Sequence, residues 1–156
     1  MQSLISRATP TGVYVVTVKA GEKINGMTAA WVTQVSFKPV LVAVSIAPQR
    51  YTYSLIKEAG MFCLNALPAG ALDLAKHFGF KSGRKTDKLK EIPHTYAKNG
   101  SPVLKEAYAY LECKVEDELE TGDHTLFVGS IVDGKELDSN AAPLIFRWSD
   151  FFGHAT

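Results

Sequence analysis

Ala109-Tyr-Leu-Glu-Cys-Lys-Val-Glu116 is the stretch that decides the fold class. Its odd positions are apolar (Ala109, Leu111, Cys113, Val115), and Glu112, Lys114 and Glu116 stand between them. A period of two is a strand period, and it predicts one dry face and one wet face. Such strands belong to antiparallel sheets. Downstream, the apolar run Thr125 to Val132 is reached through Glu120-Thr-Gly-Asp-His124 and continues into Asp133-Gly134; both have turn chemistry. Further strands are predicted at Val13 to Val18, Met27 to Ser36, Val40 to Ile46, Met61 to Leu67 and Pro143 to Trp148. Seven short strands joined this way suggest a barrel. Helices are expected at Thr52 to Ala59, stopped by Gly60, at Ala71 to Phe78, stopped by Gly79, and at Thr86 to Glu91 ahead of Pro93. Thr52 and Thr86 serve as N-caps. The result is a mainly β chain with a few peripheral helices and one long polar loop, 81 to 100.

The 156 residues, 46% of them hydrophobic, suffice for one domain spanning 1–156 and are too few for two. Charge is balanced, 17 Lys+Arg against 16 Asp+Glu, so no global field argues for nucleic acid or a membrane surface. The apolar span from Met27 to Ala47 is interrupted by Gln34, Lys38 and Pro39, and the first residues lack a signal-peptide profile; a soluble, cytoplasmic protein is expected. Cys63 and Cys113 read as buried thiols at inward strand positions. His77, His94 and His154 show no ligand spacing, and no metal is expected.

Four stretches carry chemistry. Asn25-Gly-Met-Thr-Ala-Ala-Trp31 reads as a tight turn feeding small residues into a strand, which lets peptide N–H groups meet a flat ligand with a polar rim. Ser45-Ile-Ala-Pro-Gln-Arg-Tyr-Thr52 ends a strand and opens a helix, so Arg50 and free N–H groups converge on one point suited to a phosphate. Otherwise Arg50 is a solvated residue and Thr52 only a cap. Lys81-Ser-Gly-Arg-Lys-Thr-Asp-Lys88 offers cations without interleaved aromatics, fitting one phosphate or a solvated loop rather than a nucleic-acid strand. Gly122-Asp-His124 puts an imidazole at a barrel rim, either as a ligand donor or as a hydrogen-bonded turn residue. A hydrolase relay is disfavoured because adjacent Asp123 and His124 cannot adopt its geometry and no glycines flank a serine as in a nucleophile elbow. Neither a G-x-G-x-x-G nor a P-loop pattern is present.

Together Asn25 to Trp31, Val35-Ser-Phe-Lys-Pro39, Phe62-Cys-Leu-Asn65 and Gly122-Asp-His-Thr-Leu-Phe-Val-Gly129 resemble, in order, the flavin reductase-like family, and within it the flavoredoxin-type branch. The resemblance implies an FMN-binding split β-barrel, a homodimer, and hydride transfer from NAD(P)H to flavin. The alternative is an electron carrier that keeps FMN and exchanges electrons with a redox protein partner. FMN is the implied cofactor, with FAD as an alternative and NAD(P)H as co-substrate. Carried over by position, Asn25, Met27, Thr28, Ala29, Ala30 and Trp31 line the flavin, with Ser45, Ile46 and Ala47 beside the ring. Arg50, Tyr51 and Thr52 meet the phosphate, and Phe80, Ser82, Gly83 and Lys85 complete its cradle. His124 stands where the electron partner stacks, and Trp148, Phe151 and Phe152 cover the flavin. The ending Phe146-Arg-Trp-Ser-Asp-Phe-Phe-Gly153 departs from the glycine-arginine-tyrosine ending of many NADH-dependent members, which leaves the use of nicotinamide open.

Overall fold

A computed structural model describes residues 1–153. The elements are α1 (Gln2–Ala8), β1 (Tyr14–Ala20), β2 (Lys23–Ala29), β3 (Val32–Ser36), β4 (Leu41–Ile46), α2 (Tyr51–Ala59), β5 (Met61–Ala66), α3 (Leu72–Phe80), β6 (His94–Tyr96), β7 (Pro102–Leu104), β8 (Ala109–Thr121), β9 (His124–Glu136) and α4 (Trp148–Phe152). Seven strands form one antiparallel sheet in the order β2-β1-β5-β8-β9-β4-β3, and β6 and β7 form a small hairpin.

The two edge strands, β2 and β3, are consecutive in the chain and joined only by Ala30 and Trp31. Three Cα steps reach roughly 11 Å, so the sheet must curl until its first and last strands approach each other. It does so, bringing β2 near β4 and leaving a barrel split along that seam. Val16, Val18, Met27, Val44, Ile46, Phe62, Leu64 and Phe127 fill its interior. A second core, with Val13, Val15, Leu74, Phe78, Leu89 and Leu104, lies between the other sheet face and α3. No helix among the described residues is long and apolar enough to cross a membrane.

Several sequence expectations need correction. Asn25-Gly26 is not a turn: both residues lie inside β2, opposite Val18 and Thr17. The hairpin turn is Gly21-Glu22, where Gly21 has φ 61°. Gly26 answers to packing instead, because a Cβ there would stand 3.0 Å from Val15 Cγ1 and 3.2 Å from Phe78 Cε1. Met27 to Ser36 is two strands, broken at the seam. Asp133-Gly134 continues β9 opposite Glu112 and Leu111, since a side chain at 134 would collide with Tyr110 O at 2.9 Å. Glu112 itself is 2% exposed, not wet, because the β6–β7 connection covers it and Asn99 N–H donates to its Oε1 at 2.9 Å.

Helix α2 starts at Tyr51, so Arg50 holds the N-cap position and the Thr52 hydroxyl is engaged elsewhere. α3 runs through Gly79 to Phe80. Residues 86–91 form turns rather than a helix, with Asp87 Oδ1 accepting Leu89 N–H at 3.1 Å. Pro143 to Trp148 makes only isolated bridges, Pro68 with Pro143 and Gly12 with Ile145. By contrast, Gly60 ends α2 in the left-handed conformation at φ 69°, and Gly122, φ 53°, turns β8 into β9.

Candidate functional site

A cavity of about 250 Å³ opens between the start of α2 and the chain from Phe80 to Lys88. Asn25 and Met27 of β2, Gln49 to Thr52, Phe80 to Arg84 and Lys88 line it. Asn25 is 2% exposed, and its Nδ2 donates to Thr52 Oγ1 at 2.9 Å, binding β2 to the first turn of α2. That helix start has no side-chain cap. Arg50 N–H and Tyr53 N–H donate to Ala47 O and Arg50 O, both at 3.1 Å, so the N–H groups of Tyr51 and Thr52 are the ones the helix geometry leaves without intrahelical partners, and the positive end of the helix dipole faces the opening.

Cations complete the polarity. Arg50 Nη2 donates to Gly79 O at 3.2 Å, and Arg84 Nη1 donates to Gln49 O at 3.0 Å. Lys88 is 4% exposed, and its Nζ donates to Phe78 O and Lys81 O, both at 3.0 Å. Burial, reinforced by repulsion from Arg50, pulls the Lys88 pKa down to about 8, and burial also lowers that of Arg50. Among the described residues no carboxylate forms an ion pair with Arg50, Arg84 or Lys88. Of the three only Lys88 is fully buried, with Arg50 half-buried and Arg84 exposed; a buried cation without an anionic partner is costly, and an anion at this point offsets that cost. The donor set therefore fits the phosphate of a nucleotide-type cofactor.

His124 sits at the same end of the barrel. In register, Thr125 of β9 pairs with Ile46 of β4, the strand that leads through Ala47 into α2. Asp123 Oδ1 lies 2.6 Å from His124 Nδ1 and fixes the ring; that contact also holds the Asp123 carboxyl below the usual carboxylate range. The Trp31 ring packs on the imidazole at 4.7 Å between centroids, and Trp31 O accepts Ser45 N–H at 3.0 Å. The seam residues and His124 thus form a ledge beside the cavity.

The expected site residues fall into groups. Asn25, Met27, Arg50, Tyr51, Thr52, Phe80, Ser82 and Gly83 all line the cavity. Trp31 and Ser45 stand at the ledge, with Ala30 in the seam and Ala47 at the end of β4. Ala29 and Ile46 are buried in the barrel interior and offer only backbone. Thr28 Oγ1 donates to Ala75 O at 2.6 Å, so its hydroxyl is committed to α3. Lys85 lies in an adjoining groove instead. Phe151 stacks on Phe146 at 5.2 Å and packs on the second core, 6.1 Å from Phe80; Trp148 packs on Phe152. Sequence reasoning did not single out Lys88, Arg84, Lys81 or Gln49. Lys88 had a usable signal, since it directly precedes Leu89, the first apolar residue of that loop after Phe80. Among the described residues no group of three His, Cys, Asp or Glu could hold a metal ion, and His154 lies outside them. Cys63 and Cys113 are free and buried, and burial raises both thiol pKa values, that of Cys113 to about 12.

A curled antiparallel barrel with a phosphate-type seat at one end defines a nucleotide-cofactor-binding class. Residues 6–154 match the model of the flavin reductase like domain, and the chain belongs to that family. Among solved structures, it is similar to an FMN-binding protein from Thermus thermophilus with bound 1-cyclohex-2-enone, 34% identical over 91% of this chain and 84% of that one, TM-score 0.83. An NADH:FAD oxidoreductase of Streptomyces globisporus is 30% identical over 88% and 81%, TM-score 0.83. A high molecular weight rubredoxin of Moorella thermoacetica is 35% identical over 81% of this chain and 56% of its own length. For diflavin flavoprotein A 1 of Synechocystis the identity is 36%, over 80% of this chain and 22% of that protein. The chain thus spans about half or less of these two relatives.

Proposed function

We propose that this chain is an FMN-binding oxidoreductase that accepts hydride from NAD(P)H. The observation carrying this reading is the cavity whose cations, buried Lys88 and half-buried Arg50, have no carboxylate partner beside an uncapped helix start. At about 250 Å³ it is smaller than typical cofactor pockets of roughly 300–1,000 Å³. It would take the phosphate and ribityl chain, with the ring on the ledge of Ala30, Trp31, Ser45 and Ala47. A bound flavin supplies hydride and single-electron chemistry that no side chain here provides. Arg50, Arg84 and Lys88 hold the anionic tail; seam backbone meets the ring edge; Trp31 shields it from water. His124 orients the incoming donor through the ring nitrogen that Asp123 leaves free.

Replacing His124 with alanine should slow reduction by NAD(P)H about tenfold, roughly 1.4 kcal/mol of lost positioning, while bound FMN is retained. Stopped-flow bleaching of the flavin band reads this, and an unchanged rate would remove His124 from the site. The rubredoxin relative supports a second reading, an electron carrier that retains FMN. The protein's visible spectrum, followed by anaerobic reduction with NADH, NADPH or a reduced iron-sulfur protein, separates the two. A colourless protein that takes up no added flavin contradicts both.

We further infer a cytoplasmic homodimer. β3 is an edge strand, and Trp31, Val35, Phe37 and Val40 are exposed along or beside it, Phe37 at 84%. Such an edge invites pairing or cover, and a twofold copy provides it. Light scattering should give twice the 17.0 kDa chain mass, and Phe37→Glu should give one. A monomeric wild type overturns the inference.

A further inference from the structure

The loop that carries Ser82, Gly83 and Arg84 into the cavity is exposed for most of its length, yet both of its ends are tied to one half-buried side chain that lines no part of the cavity. That side chain is His77, in the last turn of α3, with Nε2 2.7 Å from Lys88 O and Nδ1 3.1 Å from Lys81 Nζ. A carbonyl oxygen only accepts and an ammonium only donates, so these partners assign the tautomer: Nε2–H donates to Lys88 O, and Nδ1 accepts from Lys81 Nζ. The Phe78 ring meets the imidazole edge-on, with centroids 5.0 Å apart and planes at 89°, and fixes its orientation. Lys88 closes the circuit. Its Nζ donates to Phe78 O and to Lys81 O, both at 3.0 Å. An ammonium has three hydrogens, and with two of them engaged in this way the third is left for the cavity that Lys88 lines.

We propose that His77 is a positioning residue for the flavin phosphate: as a neutral imidazole it clamps both ends of the 81–88 loop onto α3 and so aims the Lys88 ammonium and the Ser82 to Arg84 segment at the cavity. This rests on the flavin reading and names what holds its phosphate seat in shape. Within the loop the hydrogen bonds are local, Ser82 O accepting the N–H groups of Lys85 and Thr86, both at 3.1 Å. The Arg84 guanidinium reaches out to Gln49 O at 3.0 Å, and His77 together with the Lys88 ammonium supplies the tie to α3. The charged groups around Lys88 are mostly cations: Arg50 from the start of α2, and Lys81 and Arg84 from the loop. Asp87, next to it in the chain, has its Oδ1 turned to Leu89 N–H at 3.1 Å. Burial and repulsion from Arg50 already pull the Lys88 pKa down to about 8, so a free loop would let this ammonium swing out into water. The bond from His77 to the Lys88 carbonyl opposes that escape.

The test compares the wild type with His77→Phe, which keeps a ring against Phe78 and removes both nitrogens, and with His77→Gln, whose amide restores an N–H for Lys88 O. Fluorescence titration of the flavin-free proteins with FMN and with riboflavin gives the affinities. His77→Phe should weaken FMN about tenfold and leave riboflavin unchanged, and His77→Gln should bind FMN within about threefold of the wild type. In His77→Phe the decline of FMN affinity at about pH 8 should move upward, towards the ordinary 10.5, because a released Lys88 regains water. A general loss of structure would weaken both flavins and leave His77→Gln no better than His77→Phe. Unchanged FMN affinity, equal loss for both flavins, no rescue by glutamine, or a decline that stays at about pH 8 overturns the proposal. Nitrogen NMR of the wild type reads the clamp without any substitution: the His77 ring should carry its hydrogen on Nε2, and a hydrogen on Nδ1 overturns the proposal. A wild type that binds FMN no more tightly than riboflavin overturns the flavin reading itself, a failure distinct from that of the clamp.

Discussion

Replacing Gly83 with alanine is expected to weaken flavin binding about a hundredfold, the equivalent of roughly 2.7 kcal/mol, with the barrel still folded. A Cβ at position 83 would stand 2.6 Å from Asn25 Cγ and 2.8 Å from its Nδ2. Asn25 cannot swing aside cheaply. It is 2% exposed, and its amide is bonded to Thr52 Oγ1, so moving it strands buried polar atoms at a cost of about 1–3 kcal/mol. The exposed segment from Lys81 to Lys85 moves instead, withdrawing Ser82 and Arg84 from the phosphate seat. Fluorescence quenching of added FMN measures the affinity, and thermal unfolding of the flavin-free variant reports the fold. An unaltered dissociation constant would mean that the loop does not hold the cofactor.

Lys88→Met is the second large effect: flavin affinity near neutral pH should fall about thirtyfold, roughly 2 kcal/mol for a desolvated charge-assisted contact. The wild type carries a pH signature that the variant lacks. Lys88 is charged below its pKa of about 8 and loses that charge as pH rises. An anion binds the charged form, so wild-type affinity should decline as pH climbs through about 8, while the methionine variant stays flat over that window. Stability of the flavin-free protein runs the other way. The folded pKa lies below the ordinary 10.5, so the unfolded chain binds more protons between about 8 and 10.5 and stability rises across that interval. Titrations from neutral to alkaline pH read both slopes. A pH-independent wild-type affinity would show that Lys88 does not face the ligand.

Local rules made much of this protein legible. Alternation in β8 found the antiparallel sheet, Gly60 and Gly122 marked a helix stop and a hairpin from their backbone freedom, and the stretch before Thr52 located the helix start that faces the cavity. The failures have a common cause, which is that the deciding contact is remote in sequence. Gly26 looks like half of a turn, but Val15 and Phe78 require its lack of a side chain. Glu112 follows the polar alternation of its strand, but the segment at Asn99 buries it. Lys88 was hidden among the cations of its loop, because only its place before Leu89 hints that its ammonium is the one folded inward onto the carbonyls of Phe78 and Lys81.

The claim on which all of this turns is that a flavin's anionic tail is gripped between the start of α2 and the Phe80 to Lys88 segment. Parallel titration of the flavin-free protein with FMN and with riboflavin, which has the same ring and no phosphate, tests it directly. The account predicts that FMN binds about a hundredfold more tightly and that raising the salt concentration narrows the gap. Equal affinity for the two flavins would contradict it.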